Sequence, residues 1–279
     1  MNIEIRDVLY SYPVRNGSSK PALNGVTLGI TSGECVGIIG PEGSGKSTLL
    51  LLLKGLLQSE RGSIHVGETN VLTRGSAGKA LRAKIGLSFQ FPAEQFLSQT
   101  VREEIRFGMH DRSDDRLAEC LTETGLDPDR YLDRSPFHLS MGEARRIVLA
   151  SLLMRRPDVL LLDEPTVGLD GDGLSVLTRI LRRESERGVT ILLVSHDLDF
   201  LAEHATKMFG LADGRVVIEG PLARVVSNPE GLNAVGYELP EITRIHEQLW
   251  DSGQVPRGEF LRSRELRAFL RRLKPKGKG

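Results

Sequence analysis

The chain has 279 residues, enough for one large domain, or a domain with a subdomain, and for a proper buried core. Hydrophobic residues make up 39% and charged residues 27%, ordinary proportions for a soluble globular protein. The formal net charge is zero, so no global field points to nucleic acid, and no nucleic-acid partner is expected. Cys35 and Cys120 match no metal spacing and fit small buried residues in a reducing cytosol. The opening MNIEIRDVLY lacks the basic region and apolar run of a signal peptide. The longest apolar runs fall far short of the roughly 18 residues that a membrane span requires. Work at a membrane would need another chain to supply the membrane part.

Short apolar runs alternate with helical segments, which predicts an α/β fold around a mainly parallel sheet. IEIRDVLYSY and NGVTLGI alternate more and predict antiparallel strands at one edge. ECVGIIG (34–40) reads as a buried strand ending in glycine, and GKSTLLLLLKGLL (45–57) as a helix. Residues 100–155 are rich in helix formers and charge and predict a helical insertion. DVLLLDEP (158–165) and VTILLVSHD (189–197) are two more buried strands, and KMFGLADGRVVIEG (207–220) is a hairpin turning at Asp213-Gly214. The end, from about Asn233, is mostly helical and closes on RRLKPKGKG, a tail expected to be disordered at its tip.

GPEGSGKST (40–48) fits the pattern G-x-x-x-x-G-K-[ST], with a strand before it and a helix after it. Such a loop turns successive backbone N–H groups inward on phosphates, and the helix N-terminus adds its positive end. The phosphate cradle is therefore Gly40, Pro41, Glu42, Gly43, Ser44, Gly45, Lys46, Ser47 and Thr48. Lys46 would reach the β- and γ-phosphates, and the Ser47 hydroxyl would bind Mg²⁺. In LLLDEP (160–165) an apolar strand delivers Asp163 to its end, where a carboxylate can hold the magnesium shell. Successive strand residues face opposite ways, but where the chain turns both acids can face the site. Glu164 would then orient the attacking water. His196, in VSHD, leaves the same edge of the sheet and is a candidate γ-phosphate sensor. His65, His110, His204 and His246 have no such setting and stay unassigned.

With these elements placed, the chain resembles the nucleotide-binding subunit of ABC transporters over about residues 2–225. The resemblance rests on GPEGSGKS, Gln90 in LSFQFP, LSMGE at 139–143, LLLDEP, the loop GLD at 168–170, and His196. It implies a P-loop ATPase with a RecA-like core, an antiparallel β edge subdomain, a helical subdomain at about 93–155 and a short helical C-terminal extension. The ATPase domain would span 1–228 and the extension 229–279. The substrate would be ATP with Mg²⁺. Gln90 would join the Mg²⁺ shell and the catalytic group, and would link the site to a membrane partner. Tyr12 stands where the family stacks a ring on adenine, with Tyr10 as the competing choice.

In this family two ATPase subunits dimerise head to tail, and each ATP lies between one phosphate loop and the other subunit's LSGGQ segment. In HLSMGEARR (138–146) Ser140 and Gly142 keep the hydrogen-bond donors for the partner's γ-phosphate, with Asp170 of the GLD loop beside them. Met141 brings bulk where close backbone approach is expected. Glu143 brings negative charge, for which Arg145 and Arg146 are candidate offsets. This imperfect segment favours a heterodimer with a second, regular ATPase subunit over a symmetric homodimer.

FQFPAEQFLSQTVREEIRFG (89–108) resembles the pattern of energy-coupling factor ATPases, which drive vitamin and transition-metal uptake. LNAVGYELPEITRIHEQLW and EFLRSRELRAFL resemble their C-terminal dimerisation extension. The resemblance implies a transmembrane coupling protein, a substrate-binding membrane subunit and a peripheral seat on the cytoplasmic face of the membrane. Glu94, Glu103 and Glu104 would suit basic residues of the coupling protein, although each alone can equally be a solvated acid. Another importer or exporter ATPase, or a soluble ABC ATPase acting on ribosomes or DNA, are the rival readings. The second would need paired cassettes or a long coiled-coil insertion, which this chain lacks.

Overall fold

The computed structural model describes residues 1–14, 18–109, 113–239 and 241–253. His110, EFLRSRELRAFL and the RRLKPKGKG tail lie outside the described residues, as does the side chain of His246. The strands are β1 (Ile3–Pro13), β2 (Ser19–Ile30), β3 (Cys35–Ile39), β4 (Arg61–Val66), β5 (Thr69–Asn70), β6 (Ile85–Ser88), β7 (Val159–Asp163), β8 (Thr190–Val194), β9 (Lys207–Ala212) and β10 (Arg215–Pro221). The helices in the first half are α1 (Lys46–Leu53), α2 (Gly75–Ala83), α3 (Val101–Ile105), α4 (Asp114–Glu123), α5 (Pro128–Tyr131) and α6 (Met141–Met154). They are followed by α7 (Gly171–Glu186), α8 (Leu198–His204), α9 (Leu222–Val226), α10 (Pro229–Ala234) and α11 (Glu241–Asp251). Among the described residues no helix is long and apolar enough to cross a membrane.

The main sheet has six strands in the order β10-β9-β3-β8-β7-β6, parallel from β9 to β6, with β10 antiparallel on β9. Its central strands are apolar throughout because both faces are covered. Side chains alternate between two cores. Cys35, Ile39, Leu160, Leu162, Ile191 and Leu193 enter the core shared with helices α3, α4, α6, α7 and α8. Val36, Ile38, Val159, Leu161, Leu192 and Val194 enter the other, shared with α1 and β1–β2.

The early strands are antiparallel, as their alternation predicts, but they do not sit at an edge of this sheet. They form a separate four-stranded antiparallel sheet, β2-β1-β4-β5. The reason lies in their alternation: Ile3, Ile5, Val8, Leu23, Val26, Leu28 and Ile30 are one apolar face, and it packs on the second core. Such a face needs a layer to cover it, which an edge position would not provide.

The predicted helical insertion runs from a short 3₁₀ turn at Pro92–Gln95 through α3, α4 and α5 to α6. Thr100, Ser113 and Asp127 each cap the helix that follows with a side-chain oxygen. Beyond residue 228 the described residues stay on the same body. Leu232 and Val235 are fully buried in the helical-side core, and Tyr237, Leu239, Ile245 and Leu249 pack against it.

Because Leu232 has no exposed surface, Leu232→Ala is expected to cost about 2–4 kcal/mol in a single denaturation transition. A main transition left in place by this change would mean that the extension folds as its own unit.

Candidate functional site

Three strands end level. In the parallel ladders Ile38 pairs with Val194, and Val194 with Asp163. The phosphate loop, the acid pair and His196 therefore all leave one edge of the sheet, the edge where ligands bind in such folds. After β3 the chain turns at Gly40, whose φ of 149° suits glycine, and an added Cβ would lie 2.1 Å from the Leu211 carbonyl oxygen. Gly45 has φ 102° and would place a Cβ 2.4 Å from the Ala22 carbonyl oxygen. The loop is thus threaded between β9 and β2, where side chains do not fit.

Helix α1 starts at Gly45 with no side-chain cap, so its first N–H groups have no side-chain acceptor and face the loop. Ser44 is buried, and its Oγ has no partner among the described residues. The Lys46 ammonium donates to the carbonyl oxygens of Gly40 (2.6 Å) and Pro41 (2.8 Å). Burial lowers its pKa, and the charges of Glu164, Asp163 and Glu42 act against that. The Tyr12 hydroxyl is 3.2 Å from Thr48 Oγ1, so its ring stands beside the start of α1 with 37% of its surface exposed. Tyr10 meets Tyr12 edge-on at 5.0 Å and packs against the second core.

Asp163 and Glu164 are both buried, at 5% exposure each. Glu164 has φ 47°, a left-handed backbone rare outside glycine, and its N–H donates to Val194 O at 2.8 Å. That twist is how neighbouring residues of one strand face the same site. Asp163 accepts a hydrogen bond from Ser47. Glu164 Oε2 accepts from the backbone N–H of His196 (3.3 Å) and from the Ser195 hydroxyl (3.5 Å). Burial raises the pKa of both carboxyls, and the hydrogen bonds pull the other way. His196 Nε2 lies 3.4 Å from Glu164 Oε1, and its Nδ1 lies 2.8 Å from the hydroxyl of Tyr237. Nothing in the sequence pointed to Ser195 or Tyr237. The first is hidden inside a strand-end run, and the second is 41 positions from the histidine.

The segment 138–146 opens α6. Ser140 is its N-cap, and Ser140 with Glu143 forms a complete capping box. Glu143 accepts from Ser140 N–H (2.8 Å) and from the Tyr131 hydroxyl (2.5 Å), with Arg134 3.8 Å away. These contacts, led by Tyr131, hold its pKa down to about 2. The expectation that Arg145 or Arg146 offsets this charge is therefore wrong: α6 turns them elsewhere. Arg145 is fully buried and donates to the carbonyl oxygens of Gln90 (2.8 Å) and Val167 (3.0 Å). Arg146 lies 3.7 Å from Asp170, which caps α7 by accepting from Gly173 N–H. Met141 is 48% exposed and covers Gly168, where an added Cβ would lie 2.5 Å from the Met141 sulfur. Gly142 is as tight, since its added Cβ would lie 2.9 Å from the Gly168 carbonyl oxygen.

Gln90 is exposed beyond β6, with its carbonyl oxygen tied to Arg145. No side-chain contact brings it to Ser47 or Asp163. In the segment that follows, Glu104 is not a free acid. Its carboxylate accepts from Leu97 and Ser98 N–H at 2.8 Å each. Glu94 and Glu103 stay exposed, and beside them so do the apolar Phe91, Leu97, Phe107 and Phe137.

A carboxyl whose pKa is raised by folding carries stability that is intact below the unfolded-state pKa and lost as pH rises through the folded one. Glu164→Gln removes that loss, so its thermal midpoint at neutral pH should rise by roughly 2–4 °C, and the gain should vanish in acid. A midpoint unchanged at both pH values would show that Glu164 is not strained by burial.

Residues 23–167 match the ABC transporter family. The chain is 39% identical to the energy-coupling factor transporter ATP-binding protein EcfA2 of Streptococcus sanguinis, over 91% of this chain and 93% of that one. Among solved structures it is similar to cbiO1 from Clostridium perfringens, described as part of the ABC transporter complex cbiONQ. The identity is 31% and the TM-score 0.68, covering 88% of this chain and 98% of that one. It is also similar to the ATP-binding cassette MJ0796, solved as a dimer in a post-hydrolysis state with ADP and Pi. Here the identity is 28% and the TM-score 0.71, covering 79% and 98%. With the phosphate loop, the acid pair and the strand-end histidine gathered at one sheet edge, the chain belongs to the ABC transporter ATPases, among the ATP-binding proteins of energy-coupling factor transporters.

Proposed function

We propose that residues 40–48 bind Mg²⁺-ATP, that Glu164 activates the attacking water, and that hydrolysis powers uptake of a vitamin or a transition-metal ion. The level ending of β3, β8 and β7 carries this reading, because it supplies phosphate donors, acid and histidine at one place. Backbone N–H groups from Gly40 to Gly45 wrap the phosphates, and Lys46 exchanges its loop carbonyls for phosphate oxygens. Ser47, Asp163 and Gln90 offer the hard oxygen donors that suit Mg²⁺. Among the described residues no group of three His, Cys, Asp or Glu could hold a metal, which fits an ion held by one carboxylate together with phosphates. Magnesium, when bound, neutralises charge on the phosphates. Glu164 orients water and takes its proton, and burial, which raises its pKa above the ordinary carboxylate value, makes it a stronger base. His196 contacts the γ-phosphate through Nε2, and the exposed ring of Tyr12 stacks on adenine.

The working unit is a dimer with a second ATPase, seated on a transmembrane coupling protein and a substrate-binding membrane subunit at the cytoplasmic face of the membrane. The dimeric MJ0796 cassette and the cbiONQ complex support that assembly. ATP closes the dimer when Ser140, Gly142 and the Asp170 loop meet the partner's nucleotide, and hydrolysis reopens it. The exposed Phe91, Leu97 and Phe107 offer the coupling protein an apolar seat, beside the exposed acids Glu94 and Glu103. Residues 1–228 serve as the ATPase domain and 229–279 as the extension.

The heterodimer reading now rests on Met141. The Glu143 carboxylate is turned back onto the Ser140 N–H and the Tyr131 hydroxyl, which keeps its charge within its own segment and favours the symmetric homodimer to that extent. Met141 remains as exposed bulk on the face that meets the partner.

The Glu164→Gln chain, tagged in its native host and trapped with Mg²⁺-ATP, should co-purify with a coupling membrane protein, a substrate-capturing membrane subunit and a second ATPase. Ribosomes or an unrelated permease in its place would overturn the assignment, and this chain as the sole ATPase would remove the heterodimer. Met141→Gly with Glu143→Gln should raise ATPase turnover of the native complex toward about twice its value, as two sites come to work equally. Unchanged turnover would mean that LSMGE is a tolerated variant.

A further inference from the structure

The Tyr237 hydroxyl lies 2.8 Å from His196 Nδ1, and the two rings are nearly parallel, at 8°, with centroids 6.1 Å apart. The same hydroxyl is 3.5 Å from the carbonyl oxygen of Gly40, where the phosphate loop begins. One phenol from the C-terminal extension thus stands between the loop and the strand-end histidine. Burial, with the charge of Glu164, pushes its pKa up to about 12. It is therefore a neutral donor at any physiological pH.

The hydroxyl has one proton, and distance favours one acceptor for it: Nδ1 at 2.8 Å is at ordinary hydrogen-bond length, whereas the Gly40 carbonyl oxygen at 3.5 Å is at the limit. With Tyr237 donating to Nδ1, the proton of a neutral imidazole sits on Nε2, the nitrogen 3.4 Å from Glu164 Oε1. The segment bearing Tyr237 is held in place. Leu232 and Val235 are fully buried, and Tyr237 N–H donates to Leu232 O at 2.9 Å.

We propose that Tyr237 is a positioning residue: it fixes the Nε2–H tautomer and ring plane of His196, and so ties the seating of the C-terminal extension to ATP hydrolysis. This rests on the reading of His196 as the γ-phosphate contact. Tyr237 makes no contact with the nucleotide in this scheme and acts through the histidine alone. A shift of residues 229–239 withdraws the hydroxyl and frees the ring to turn, so whatever grips the extension has a route to the active site.

The test compares steady-state ATPase activity of the assembled complex carrying full-length wild type, Tyr237→Phe, His196→Ala and the double variant. Phenylalanine keeps the ring and its packing and removes only the hydroxyl. Tyr237→Phe should lower kcat about fivefold to tenfold, with KM for ATP changed less than about twofold and the thermal midpoint held. His196→Ala should abolish turnover, and Tyr237→Phe should add nothing to it. Nitrogen-15 NMR of the wild-type chain, with His196 assigned by its absence in His196→Ala, should show Nδ1 unprotonated and Nε2 protonated. Tyr237→Phe should give a mixture of tautomers. Loss of activity in His196→Ala with full kcat in Tyr237→Phe overturns the positioning role alone. Full activity in His196→Ala overturns the assignment of His196 and the positioning role with it. If the phenylalanine variant is unstable, the wild-type spectrum decides, since a protonated Nδ1 overturns the proposal.

Discussion

Ile38, Val194 and Asp163 lie side by side across three parallel strands, and the rest of the site hangs from that register. A parallel ladder forces strands that start level to end level, and the connections of β3, β7 and β8 all emerge at the same edge. A slip of one residue in β7 would send Asp163 into the opposite core and remove the acid from the phosphate loop. Two apolar cores, one on each face, pin the register by alternation, so burial on both sides of the sheet is what holds catalytic groups a few ångströms apart.

The site is a crowd of buried charges that oppose one another. Burial lowers the pKa of Lys46 and raises those of Asp163 and Glu164, and each group's partners push back. Such a cluster costs stability and is tolerated because the loop that carries Lys46 cannot relax: Gly40 and Gly45 leave no space for side chains that would loosen it. Glu164 holds a strained φ of 47° for the same reason, since only that backbone turns it to the side of Asp163.

The opposite pole of the chain is built by capping rather than by charge crowding. Glu143 closes its own helix start, bonds Tyr131 and keeps its negative charge inside the segment. Arg145, the neighbour with the greatest reach, is buried beneath and fastens the Gln90 backbone to Val167, beside the loop that leads to Asp170. One side chain therefore joins the segment after β6, helix α6 and the loop before α7. A rigid link of this kind lets motion at one of the three move the others.

The fold class, the phosphate loop and the two acids could be read from residues alone, because each depends on a contiguous run whose composition already encodes its environment. Four apolar residues before Asp163 require burial on two faces, and G-x-x-x-x-G-K-S requires an anion. The choice between an edge position and a second layer for β1 and β2 was not legible, because antiparallel alternation looks the same in either place. The Arg145 and Arg146 expectation failed because proximity in sequence says nothing about which helix face a side chain takes, and the spacing of α6 sends both away from Glu143. The contacts of Glu104 were hidden for the same reason, since its carboxylate holds N–H groups seven and six residues back. By itself, the sequence determined a phosphate-loop pattern and an acid pair at strand ends, which local chemistry suffices to read, and a set of motifs that resembles those of ABC transporter ATPases. Only the tertiary structure decided that Tyr131 holds the Glu143 carboxylate, that Phe91, Leu97 and Phe107 stand exposed near Gln90, and that the Tyr237 hydroxyl meets His196. Those contacts join positions far apart in the chain, and only packing sets the distances between them.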